Sequence, residues 1–262
     1  MTRYQLNISP MRSRVSDLEW DARVDLAACY RLIAHYGMSD MVANHISMRV
    51  PGEPDAFLIN AYGMLYEEIT ASSLLKIDHH GNILSKPDFG GNVDYGVNKA
   101  GFVIHSAIHE ARPEVDCVIH THTWAGMAIS SLECGLLPIN QTSMRFLKIG
   151  YHEYQGVVLD LSEQQSLIGD LGENEALILR NHGLLTAGRS VGEAFNWMHR
   201  LEVSCRAQLA AMACNTPLHP VPEEVRAATY RQYQPGTRRP YGLMEWAALL
   251  RLADRLDPSY AS

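Results

Sequence analysis

The sequence predicts a layered α/β protein built on a mixed or antiparallel sheet. Segments with apolar residues at helical spacing are interleaved with short segments of period two, so both element types are present. They mix without the strict strand–helix–strand rhythm of a doubly wound parallel sheet. The chain of 262 residues, 47% apolar and 19% charged, can bury a substantial core.

Residues 1–15 are polar and irregular and read as an N-terminal arm. Ser16-Asp17-Leu18-Glu19 reads as a capping box. It opens a helix with Ala22, Leu26, Cys29 and Ile33 on one face, and Gly37 can close it. In "NHISMRV", Ile46, Met48 and Val50 alternate with His45, Ser47 and Arg49, as in a strand with two different faces. A second strand is expected at 57–60, and "SLLKIDHHGNIL" reads as a hairpin turning at His80-Gly81-Asn82. A helix is expected over 99–111, stopped at Arg112-Pro113 because proline disfavours helical geometry in the residue before it. Val115–Ile119 form a short apolar strand, followed by a helix from about Thr123 to Glu133. "ALILR" (176–180) is a buried strand. Capping boxes at Ser162-x-x-Gln165 and Ser190-x-x-Glu193 start two further helices, the second running from 191 to 213. Residues 215–240, rich in Pro and Arg, read as loop, with a last helix near 242–256. The expected organisation is an arm (1–15), one domain (16–214) and a C-terminal tail with a short helix (215–262).

A formal charge of -7 disfavours nonspecific binding to nucleic acid or anionic membrane. No apolar run approaches the roughly 18 residues of a membrane span, and the N-terminus has no apolar signal core. The five cysteines (Cys29, Cys117, Cys134, Cys205, Cys214) are odd in number and form no CxxC, and most sit among apolar or helix-forming neighbours. They read as reduced core residues of a cytoplasmic protein.

The twelve histidines carry the chemistry. His120 and His122 lie two apart at the end of an apolar strand, so both rings face one side and can converge on a metal. Two unrelated polar residues at a strand end would look the same. His182 follows a second apolar strand and precedes Gly183, which allows a sharp turn or a close backbone approach. Together the three would hold a metal with a position left open, the pattern of a catalytic site. His105 and His109, four apart on a helix, share a face, but no HExxH-type glutamate accompanies them. His45 could line a pocket, and His79 and His80 sit in a turn.

Several stretches resemble the class II aldolase/adducin family. These are "RPEVDCVIHTHTWAG", "LILRNHGLLTAG", "YGMSDMVANHISMRV" and "INAYGMLYEEITASSLLKID", over roughly residues 18–215. In wording the chain is most similar to the adducin head domain, as in "GVNKAGFVIHSAIHEARP" and "CGLLPI". Family members of known activity include fuculose-1-phosphate aldolase, ribulose-5-phosphate 4-epimerase and methylthioribulose-phosphate dehydratase. The resemblance implies a three-layer α/β/α domain with a central mixed, largely antiparallel sheet. It also implies a cytoplasmic homotetramer and a divalent metal, zinc first, with iron or manganese as alternatives. The family's metal histidines fall on His120, His122 and His182.

The chain departs from the family elsewhere. The acidic residue that serves the aldolase as ligand and proton carrier falls on Gly101, which can do neither. Lys99 and Ala100 replace the phosphate-binding serines, His45 replaces an asparagine, and Tyr62-Gly63 replaces a threonine-glycine phosphate loop. The expected function is a metal-dependent lyase, cleaving or decarboxylating a small carbonyl or hydroxy-acid substrate through a stabilised enolate. His105 and His45 are then the candidate proton carriers, and Lys99 and Gly63 the candidate substrate-binding residues. An exposed helix lysine is an equal reading of Lys99. Glu67, Glu68 and Asp94 are acidic candidates whose default reading is surface charge. A non-catalytic oligomeric scaffold and a non-haem iron oxygenase are the alternative functions. Any contribution of Arg238 or Tyr241 in the tail is left open.

Overall fold

The computed structural model describes residues 6–91, 93–156, 163–234, 237 and 241–262, with the side chains of 99, 100 and 163 excluded. In chain order the elements are α1 (Asp17–His35), β1 (His45–Val50), β2 (Glu53–Ile59), β3 (Leu75–Asp78), β4 (Ile83–Ser85) and α2 (Lys99–Ala111). Next come β5 (Cys117–Thr121), α3 (Trp124–Ser130), β6 (Gly150–His152), α4 (Glu163–Leu171), β7 (Ala176–Leu179) and β8 (Gly183–Gly188). Then follow α5 (Val191–Ala213), α6 (Glu223–Tyr233) and α7 (Leu243–Leu256), and a 3-10 turn at Pro258–Ala261 comes last.

Among the described residues, eight strands form one sheet in the order β4-β3-β2-β1-β5-β8-β7-β6. Every pair is antiparallel except β6 with β7, so the sheet is mixed and largely antiparallel, as expected. The strand pleat divides the apolar side chains between two cores. Ile46, Cys117, Ile119, Ile178 and Leu184 join the core built with α1 and α5. Val118, Leu177, Leu179, Leu185 and Ala187 join a second core with Ile104 and Ile108 of α2 and Leu167 and Leu171 of α4. The three layers follow directly from this alternation. On β1 the period-two reading puts Ile46 and Val50 in the first core, leaving His45 and Ser47 to face α2.

Local signals account for most boundaries. The Ser16 hydroxyl accepts from the Glu19 amide at 3.1 Å and starts α1. The Asp78 carboxylate accepts from the amides of His80 and Asn82 and closes the β3–β4 turn. The Thr123 hydroxyl accepts from the Gly126 amide and starts α3, which ends at Ser130, short of the expected Glu133. The Ser190 hydroxyl accepts from the Glu193 amide at the start of α5. Ser162, expected to cap α4, lies outside the described residues.

Two expectations are corrected. The stretch 215–240 is not all loop, because α6 occupies Glu223–Tyr233. Cys134 and Cys214 are exposed, whereas Cys29, Cys117 and Cys205 are buried as expected; all five are free thiols. The C-terminal segment also packs on the main body. The Trp246 indole of α7 donates to Asp25 of α1 at 3.2 Å, and Tyr241 stacks on Trp197 of α5.

Candidate metal centre

β5 lies near the middle of the sheet, between β1 and β8. Its C-terminal end delivers His120 and, one residue past Thr121, His122. The tight turn between β7 and β8 delivers His182. Asn181 there takes a left-handed conformation (φ 54°), tolerable for asparagine, and reverses the chain within one step. Gly183 has a different task. A Cβ at that position would collide with the Thr121 carbonyl, so only glycine lets β8 approach β5 this closely.

The result is a triangle of ring nitrogens. His122 Nε2 is 2.8 Å from His120 Nε2 and 3.0 Å from His182 Nε2. One ligand nitrogen from each of the three lies within 4.8 Å of the others. The opposite ring nitrogens set the tautomers. His120 Nδ1 donates to the Leu184 carbonyl at 2.9 Å, and His122 Nδ1 donates to Asp40 Oδ2 at 3.1 Å. Both Nε2 atoms of the β5 pair therefore carry bare lone pairs aimed inward. Lone pairs facing one another at such distances repel unless a cation stands between them. Burial and the neighbouring imidazoles hold His120 well below its ordinary pKa, and the same causes bring His182 down to about 4. Protonation of these two rings is thus disfavoured as the source of a compensating positive charge. The donor set fits a divalent metal, with carbonyl and carboxylate partners orienting the imidazoles from behind.

The other candidates separate into two groups. His45 and His105 are buried beside the triangle. The His45 ring lies 4.9 Å from that of His120, centroid to centroid, across the β1–β5 pairing that sets the two residues opposite each other. His45 Nδ1 is 2.8 Å from His105 Nε2. Gly63, in a turn after β2 at φ 101°, sits against Tyr95 and not against the triangle. The Lys99 side chain lies outside the described residues, as does Arg238. Glu68 accepts from the Leu65 amide and Asp94 pairs with Lys86, while Glu67 is exposed; none of these reaches the imidazoles. Asp40 was not singled out by the sequence, because it lies in a loop with no periodic pattern. Ser47 was visible only as a polar position on the His45 side of β1.

A mixed sheet between two helical layers, with three strand-end histidines converging at its middle, defines a protein of the class II aldolase fold. The family described as Class II Aldolase and Adducin N-terminal domain matches residues 24–209, and the chain belongs to it. A Pseudomonas aeruginosa protein described only as aldolase class 2 is 44% identical over 95% of both chains. Rat (Rattus norvegicus) alpha-adducin is 40% identical over 89% of this chain, which spans 33% of its length. L-Fuculose 1-phosphate aldolase from Glaciozyma antarctica is 30% identical, with a TM-score of 0.80 over 92% of each chain.

Proposed function

We propose that the chain is a metal-dependent lyase acting on a small carbonyl or hydroxy-acid substrate, with His120, His122 and His182 as the metal ligands. One observation carries this reading: three imidazoles from separate points of the sheet present their nitrogens to a common point. A divalent cation there supplies a Lewis acid for a substrate carbonyl and compensates the negative charge that carbon–carbon cleavage or decarboxylation develops. The chain's own residues do the rest. Asp40 and the Leu184 carbonyl fix the orientation and tautomer of two ligands. His45, whose ring lies beside that of His120, is the candidate proton carrier, with His105 bonded behind it, since Gly101 has no side chain to do so. Likeness to L-fuculose 1-phosphate aldolase supports lyase chemistry. Zinc, a homotetramer and a cytoplasmic setting belong to this proposal. Among the described residues, no helix is long and apolar enough to cross a membrane.

Likeness to alpha-adducin favours a second reading, a non-catalytic oligomeric scaffold. The two are separated by metal analysis and turnover. Protein purified without chelator is expected to carry about one metal per chain. The double variant His120→Ala, His182→Ala is expected to carry none, and full occupancy in it would remove the site. Loaded protein is then screened against sugar phosphates, aldonate-type acids and β-keto acids. Silence across all three favours the scaffold.

A further inference from the structure

Behind the triangle, a line of buried polar groups crosses from α2 to β1. His109 Nδ1 is 3.3 Å from the Val115 carbonyl, and His109 Nε2 is 2.7 Å from Ser47 Oγ. Ser47 Oγ is 2.6 Å from His105 Nδ1, and His105 Nε2 is 2.8 Å from His45 Nδ1. All four side chains are buried. Each bond has two orientations when taken alone, but the line as a whole has one. The Val115 carbonyl can only accept, so His109 Nδ1 carries the hydrogen. Burial, together with the Arg49 guanidinium that donates to the His109 carbonyl at 2.6 Å, keeps this imidazole neutral, with a pKa lowered to about 3. Its Nε2 is then bare and accepts the only hydroxyl hydrogen of Ser47. Ser47 can now only accept from His105, so His105 Nδ1 carries its hydrogen and Nε2 is bare. His45 must donate from Nδ1.

We propose that Val115, His109, Ser47 and His105 form a one-way hydrogen-bond relay. It locks His45 in the Nδ1–H tautomer and leaves His45 Nε2 as a bare acceptor for a substrate hydroxyl. His109, Ser47 and His105 are positioning residues; His45 is the group that meets the ligand. Among the described residues, His45 Nε2 has no hydrogen-bond partner of its own. The ring is seated on α2 at Gly101, where a Cβ would stand 2.5 Å from His45 Cδ2 and 3.0 Å from Nε2. The tautomer is a property of this chain alone, whereas the hydroxyl-accepting role rests on the metal-dependent reading above. The substrate class this selects is a hydroxy-carbonyl or hydroxy-acid compound, whose O–H has a prepared acceptor.

The test uses the full chain labelled with ¹⁵N-histidine, at neutral pH, both chelator-treated and zinc-loaded. Nitrogen chemical shifts and two-bond couplings report which ring nitrogen carries hydrogen. His45, His105 and His109 are expected in the Nδ1–H form without metal. In Ser47→Ala, His45 is expected to become a mixture of tautomers, and Ser47→Thr, which keeps the hydroxyl, to restore the single form. An Nε2–H His45 in the unmodified protein overturns the proposal without any variant. So does an unchanged His45 tautomer in a folded Ser47→Ala protein. With zinc bound, glycolate is expected to be preferred over acetate, and Ser47→Ala to reduce that preference by about tenfold at unchanged zinc content. Equal binding of the two acids by unmodified protein overturns the hydroxyl-accepting role. Failure to bind zinc, with the tautomers as described, removes the metal-dependent function but leaves the relay standing.

Discussion

His45 and Gly101 are a complementary pair: the ring of one occupies the space that a side chain on the other would need. Adding even one carbon at Gly101 forces the ring out of its seat or moves α2, and overpacking of this kind costs about 1–3 kcal/mol. The substitution Gly101→Ala is therefore expected to lower the urea midpoint. In the double variant Gly101→Ala, His45→Ala the clash is gone, so the two changes should be strongly non-additive. Simple additivity of the two single effects would show that the ring does not sit on Gly101.

Among the elements, α1 depends on a charge inside the core. The Arg23 guanidinium is fully buried, donating to Glu19 at 2.8 Å and to the carbonyls of Ala71 and Leu74. Glu19 also pairs with Lys76 of β3, so one carboxylate ties the helix to the sheet. Removing it leaves a buried cation without a counter-charge, which typically costs 3–5 kcal/mol. Glu19→Ala should therefore be among the most damaging single changes in α1, measured by chemical denaturation, while Asp17→Ala at the exposed first turn should be mild.

The elements also differ in how far the sequence disclosed them. β1 was readable because one of its faces is apolar and the other polar, β5 because it is a short continuous apolar run that ends in the histidine pair, and α5 because it carries both a cap and a long periodic run. α6 was missed for a physical reason: it buries none of its residues, so no apolar stripe marks it, and prolines surround its start. β8 buries every residue between its two glycines and so shows no alternation. β6 is three residues long, too short to carry a pattern. In the site, the His120–His122 pair announced itself by strand spacing, and His182 by an apolar strand followed by glycine. Asp40 and the relay did not, because their meaning lies in contacts between residues about 60 to 80 positions apart.

For the whole molecule, the buried histidines set the acid limit. The unfolded chain takes up a proton on each near the ordinary value of 6.5, whereas folded His109 does so only at about 3. Between these values the unfolded state binds more protons, so stability is fully present above about pH 6.5 and falls as the pH drops towards 3. One such site gives a slope of about 1.4 kcal/mol per pH unit. Thermal midpoints of chelator-treated protein are expected to fall steeply over this window. His109→Gln should start less stable but lose stability less steeply on acidification. A parallel pair of curves would show that His109 does not carry that part of the acid response.

The placement of the triangle also sets an order of events in the life of the chain. Its members come from a central strand and from a turn some sixty residues later, and the gap between them closes only after β8 has paired with β5. A chain emerging from the ribosome cannot offer the full trio until it has been made as far as β8. Any ion that needs all three rings can therefore be held only once both β5 and the β7–β8 turn have been made.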